Sequence, residues 1–206
     1  SDDREAAVRR LVEHFVALTL AADELAEPHR FRPATGLPAP SAAPFSDAEG
    51  ALAWLGAQWP GLADIVDSAA RYRLNDRCWQ LAFVLRAFFF REKLFEPWIR
   101  THERALEAAR ATGDPSATGM ILNNLGMAYI ESGRVDDAVA DVVNGDGLEA
   151  GRVAPDRHFA EERGVQSLLN VRVGAGRVCA LPFRVQQPLD SLHDLLAAGQ
   201  ESIEER

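Results

Sequence analysis

The stretch Ile121-Leu122-Asn123-Asn124-Leu125-Gly126-Met127-Ala128-Tyr129, followed by Gly133 and Ala138, decides the fold. Each residue type in it has a physical task. Gly126 thins one helix so that a second can approach it closely, and Tyr129 fills the space between them. Gly133 turns the chain, and Ala138 keeps the returning helix small at the crossing. A hairpin of this kind cannot bury its apolar face alone and must stack on neighbours.

Leu125-Gly126, Tyr129, Gly133 and Ala138 stand at the offsets where a tetratricopeptide (TPR) repeat places its Leu-Gly, Tyr, turn Gly and packing Ala. The resemblance implies a binding scaffold first and a catalyst only second. In stacked helix pairs the first helix of each pair lines the concave surface. Setting Leu125 at the repeat's Leu position turns Asn123, Met127 and Glu131 toward that groove, and Arg86 is expected there from the previous helix. Asn123 carries both a donor and an acceptor. It can read a peptide backbone or bridge to a neighbouring helix, and both readings stand open.

Composition narrows the class. The chain has 206 residues, 47% of them apolar and 26% charged, which is long and apolar enough for one sizeable core. A net charge of -9 repels a phosphate backbone, so direct nucleic-acid binding would need a local basic patch. The densest basic stretch, Arg91 to Arg104, is interrupted by Glu92, Glu96 and Glu103 and reads as a solvated helix face. Cys78 and Cys179 lie far apart, which fits a reducing cytoplasm rather than a disulfide framework. No apolar run approaches the roughly 20 residues that span a bilayer. The N-terminus, Ser-Asp-Asp-Arg-Glu, lacks the basic start of a signal peptide and reads as a boundary inside a longer protein.

Along the chain, residues 1–27 read as an N-terminal helix ended by Pro28, and residues 28–45 hold five prolines and read as an extended connector packed through Phe31 and Phe45. Ser46 and Glu49 form a capping box that opens a short helix through Leu55. Trp59-Pro60 is expected to break it and start another, through about Tyr72. Asn75 is expected to cap a strongly apolar helix through Phe89. Helices over 95–111 and from Asp114-Pro115 onward complete helical pairs spanning 46–143. Beyond Val143 the pattern degrades. Residues 171–185 alternate as a hairpin would, but Pro182 argues against a central strand. The alternative takes Ser167 to Asn170 and Gly176 to Val178 as echoes of Leu122 to Asn124 and Gly133 to Val135, and it is preferred. Residues 144–206 are then a degenerate repeat with a C-terminal capping helix from Pro188 or Ser191. The expected fold is all-α, a TPR-like right-handed array of helical hairpins with an N-terminal helix and a proline-rich connector.

Chemistry-bearing motifs are sparse. There is no phosphate-cradling Gly-x-x-x-x-Gly-Lys-Ser/Thr, no Gly-x-Ser-x-Gly elbow, no His-Glu-x-x-His and no Cys-x-x-Cys. None of the five histidines has a second ligand at helical spacing, so no metal, cofactor or catalytic residue is assigned. His102, on one helix with Trp98, Thr101 and Arg104, reads as a partly buried packing histidine before an acid or base. Cys78 reads as a small core residue, and Asp64 and Asp67 as a solvated face rather than a carboxylate pair. In the run Phe88-Phe89-Phe90, successive residues turn by about 100°, so one ring must leave the core. It packs on the next helix or meets a partner, and self-association as a homodimer is one such use. The groove candidates are Arg86, Phe89, Trp98, His102, Asn123, Met127 and Glu131.

Several motifs recur in a familiar order: Ala26-Glu27-Pro28-His29-Arg30, the proline connector, Ala51 to Leu55, Trp79-Gln80-Leu81-Ala82, Trp98-Ile99-Arg100-Thr101-His102 and Leu122 to Gly126. Over residues 5–140 the chain resembles the C-terminal part of actinobacterial antibiotic-regulatory (SARP/AfsR-type) proteins, signalling ATPases with a TPR sensor region. The resemblance implies a cytoplasmic, non-catalytic regulatory module that binds a protein or peptide partner or a small-molecule signal. It carries over neither DNA binding nor ATP hydrolysis, since their domains are not in these residues. The rival expectation is a biosynthetic-pathway enzyme or small-molecule-binding protein on a closed version of the scaffold.

Overall fold

A computed structural model describes residues 2–134 and, as backbone, residues 148–153, 167–173 and 176–183. Residues 2–134 are all-α. The helices are α1 (Asp2–Ala26), α2 (Ala48–Arg71), α3 (Asn75–Glu92), α4 (Phe95–Thr112) and α5 (Pro115–Glu131). Each packs on its successor, and α3 also meets α1 and α5, so consecutive helices form hairpins around a central α3. That position matches its sequence. From Cys78 to Leu85 every residue of α3 is buried, and Phe88 and Phe89 with them, as a helix apolar on all sides requires.

The hairpin links are short, and backbone chemistry ends the helices. Gly113 closes α4 at φ +73° and Gly133 follows α5 at φ +78°, left-handed conformations that glycine enters without strain. Lys93 closes α3 in the same region at φ 57°. Asp114 caps α5, its Oδ1 accepting from the Ser116 amide at 2.8 Å.

Three expectations about helix starts and stops need correction. Asp47, not Ser46, caps α2, accepting from the Gly50 amide at 2.8 Å. Leu74 stands at the N-cap of α3 without a side-chain bond, and Asn75 is already helical. Pro60 breaks nothing, because α2 runs unbroken through it. A proline inside a helix costs about 3 kcal/mol. Leu55, Leu62 and Val66, all buried, keep one face in phase across it, and each full burial returns about 1.5–3 kcal/mol. Continuity therefore wins.

In the deciding stretch, Leu125, Ala128 and Tyr129 are buried, and the Tyr129 hydroxyl donates to Glu103 Oε1 at 2.9 Å, tying α5 to α4. Among the described residues a Cβ at Gly126 would meet nothing within 4 Å. The returning helix that Gly126 is expected to admit, with Ala138, lies outside the described residues.

The connector between α1 and α2 is extended, as its prolines predict, and it is laced onto the helices. Phe31 stands edge-on to Phe83, Arg77 Nη1 donates to the Thr35 carbonyl at 2.6 Å, and Phe45 lies against Trp54.

The C-terminal third departs from the preferred reading. Backbone segments β1 (Leu148–Val153), β2 (Ser167–Val173) and β3 (Gly176–Phe183) pair antiparallel in the order β1-β2-β3. The period-two alternation was the stronger signal, and the helical repeat over 167–183 is replaced by a hairpin. Pro182 sits opposite Leu168 in an edge strand, where a missing amide is tolerated. The expected capping helix from Pro188 lies outside the described residues.

Candidate functional site

The seven candidate residues divide into two groups. Arg86 of α3 and Met127 of α5 meet, with Nη1 3.7 Å from Sδ. Asn123 stands one turn before Met127 and Glu131 one turn after it. Asn123 is half-buried, and its Oδ1 is buried without a hydrogen-bond partner among the described residues. Glu131 is exposed, its carboxylate 3.8 Å from Lys93 Nζ at the end of α3. These four residues run along the seam where α3 faces α5.

Phe89, Trp98 and His102 do not line that seam. All three are fully buried, which corrects their placement as groove residues. They stack in the core: Trp59 is edge-on to Phe89, Phe90 edge-on to Trp98, and Trp98 edge-on to His102, with centroids 6.1–6.2 Å apart. Of the phenylalanine run, Phe90 is the ring that leaves the core. It is 37% exposed, packed on Trp98 of the next helix and covered by the Lys93 ammonium at 4.2 Å.

His102 is more deeply buried than expected. Its Nδ1 lies 3.0 Å from the Trp98 carbonyl. A carbonyl only accepts, so the proton sits on Nδ1 and Nε2 presents a lone pair. Burial pushes the imidazole down to about 3, and the nearby guanidiniums of Arg86 and Arg30 push the same way. Such a histidine stays neutral at physiological pH. Nε2, the Trp98 indole N–H and Asn124 Nδ2 have no hydrogen-bond partner among the described residues. Cys78 is likewise set against chemistry, because burial pushes its thiol up to about 12 while Sγ lies 3.6 Å from the Val66 carbonyl.

A second polar cluster, on α1 and α3, comes from residues outside the seven candidates. Asp23, near the end of α1, is buried and accepts from two arginines of the connector: Arg30 Nη2 at 2.8 Å and Arg32 Nε at 2.5 Å. Arg32 also donates to the carbonyls of Asp23 and Glu27, adding a second bond to groups that already accept the Glu27 and Arg30 amides. Arg30 reaches across to α3. Its guanidinium donates to the Val84 carbonyl at 3.2 Å and lies 5.1 Å from the Phe83 ring centroid. Burial lowers the Arg30 pKa, and the Asp23 carboxylate opposes that shift. Arg86 is one turn beyond Phe83. Phe83 therefore meets Arg30 and Phe31 of the connector, and Arg86, one turn on, meets Met127 of α5. The available signal was an Asp near a helix end followed by Arg-Phe-Arg just past the proline that stops it.

An open cleft of about 640 Å³ lies between α2 and α4, lined by Asp64, Asp67, Ala70, Arg71, Arg104 and Glu107. The Arg104 guanidinium lies 3.5 Å from Asp67 and 3.0 Å from Glu107, so its carboxylates are shared with a cation. Asp64 is exposed, as a solvated face predicts. Among the described residues no group of His, Cys, Asp and Glu could hold a metal ion, and no helix is long and apolar enough to cross a membrane. Comparison with family models, characterised proteins and solved structures returns no match.

Proposed function

We propose that this chain is a non-catalytic regulatory module that binds an extended segment of a protein partner in the groove between α3 and α5. The observation that carries the reading is the meeting of Arg86 and Met127 on that seam, with Asn123 one turn away and its buried side-chain carbonyl oxygen without a donor among the described residues. A peptide backbone supplies amide donors at regular spacing, and a thioether side chain adapts to varied apolar surfaces. The titratable groups that a catalyst would use point away from chemistry: His102 is neutral and enclosed, and the Cys78 thiol is held protonated.

The resemblance to the sensor region of antibiotic-regulatory ATPases supports the same reading and adds a context. Occupancy of the groove shifts a regulator between two packings, by no more than the difference in the ligand's affinity for them. Transcriptional control by an attached or associated motor, in the cytoplasm, is the setting this implies.

The test is partner retention by the full chain and by two groove variants, Arg86→Glu and Asn123→Ala. Wild type is expected to retain a protein partner that both variants lose while keeping their helical circular dichroism. Equal retention by all three chains, or recovery of a small molecule and no protein, contradicts the proposal.

A further inference from the structure

From the way the connector lies on α3, we infer that residues 28–37 are a tethered peptide. They fill one side of the groove in cis and compete with the partner segment for it. The inference rests on the groove's being a binding site and concerns how that site is regulated. Three observations carry it. The segment turns at residues 28–30 and then runs free of helix and strand, and Pro28 and Pro33 give it the stiffness and missing amide donors of a ligand that binds without folding. Its contacts with α3 are of the kind a trans peptide makes. Arg30 donates to helix carbonyls and covers the Phe83 ring, Phe31 stands edge-on to the same ring, and the Thr35 carbonyl accepts from Arg77. Its hold rests on the two arginines and not on the ring, because Arg30 and Arg32 are nearly buried against Asp23 while Phe31 remains 67% exposed.

Tethering adds to these contacts. A segment joined to α1 at one end and α2 at the other re-forms its contacts at a high effective concentration, without high intrinsic affinity. A partner of the same chemistry, an extended peptide with Arg followed by an aromatic residue and spaced by prolines, therefore gains access when the clasp opens. The Asp23 carboxylate, which holds both Arg30 and Arg32, is the latch.

The probe is a fluorescein-labelled synthetic peptide of residues 28–45, titrated into the full chain. Two variants loosen the strap: Arg30→Ala, which removes the contacts to α3, and Phe31→Ala, which changes an exposed ring and leaves the core intact. Hydrogen exchange over residues 28–37 is expected to rise in both. Each variant is expected to bind the peptide about tenfold or more tighter than wild type does, and a peptide carrying the Arg30→Ala change is expected not to bind. If Arg30→Ala loses its helical signal, the Phe31→Ala chain decides alone. Loosened chains that stay folded but take up no more peptide than wild type overturn the inference, as does unchanged exchange over 28–37. Neither result touches the groove reading, which has its own test in partner retention by wild type, Arg86→Glu and Asn123→Ala.

Discussion

His102 shows how burial alone can turn a chemically suggestive residue into a structural one. Its native pKa lies near 3, against about 6.5 in an unfolded chain, so the unfolded state binds the extra proton first. The stability that neutral His102 contributes is fully present above pH 6.5 and is lost as pH falls from there toward 3. Between pH 6.5 and 5, where carboxylates contribute little, unfolding free energy is expected to fall by about 1.4 kcal/mol per pH unit. Urea midpoints across that window measure the slope, and His102→Gln is expected to flatten it. A wild-type midpoint that does not move would contradict the burial. The Asp23, Arg30 and Arg32 cluster teaches the opposite lesson. Its members look like ordinary surface charges in sequence, and only the three-dimensional return of the connector brings two arginines onto one buried carboxylate. Nothing periodic marks such a meeting, so it was not legible beforehand.

Elements were legible where one strong local signal acted alone. Pro28 ends α1, Gly133 turns the chain after α5, and Asp114-Pro115 opens α5, all as their backbone preferences dictate. Legibility failed where local chemistry competed with packing. Pro60 is the clearest case, overruled by an apolar face that continues on both sides of it. Replacing it should release the stored cost: Pro60→Ala is expected to stabilise the chain by about 1–2 kcal/mol. The restored helix bond outweighs the added freedom of the unfolded chain. A urea midpoint unchanged or lowered in that variant would show that α2 bends to accommodate the ring at no cost. Residues 167–183 failed for the reverse reason. There the direct period-two alternation outweighs the analogy to the repeat, and the strands follow it.

At the scale of the whole molecule, the central placement of α3 organises everything else. It packs on α1, α2, α4 and α5, so its apolar circumference forms the core, while Arg86 reaches the seam with α5. The sequence reading brings Arg86 and Met127 to one seam because helix order in a repeat dictates which faces meet. It misplaced Phe89, Trp98 and His102 because periodicity names a face without saying how much lies above it. The central claim is that the α3–α5 seam is the partner-binding surface. A photo-crosslinking amino acid tests it when placed at Met127 in the groove and, separately, at the exposed Arg100 on α4. The account predicts that the partner is captured from position 127 and not from position 100. Capture from position 100 alone, or equally from both, would contradict it.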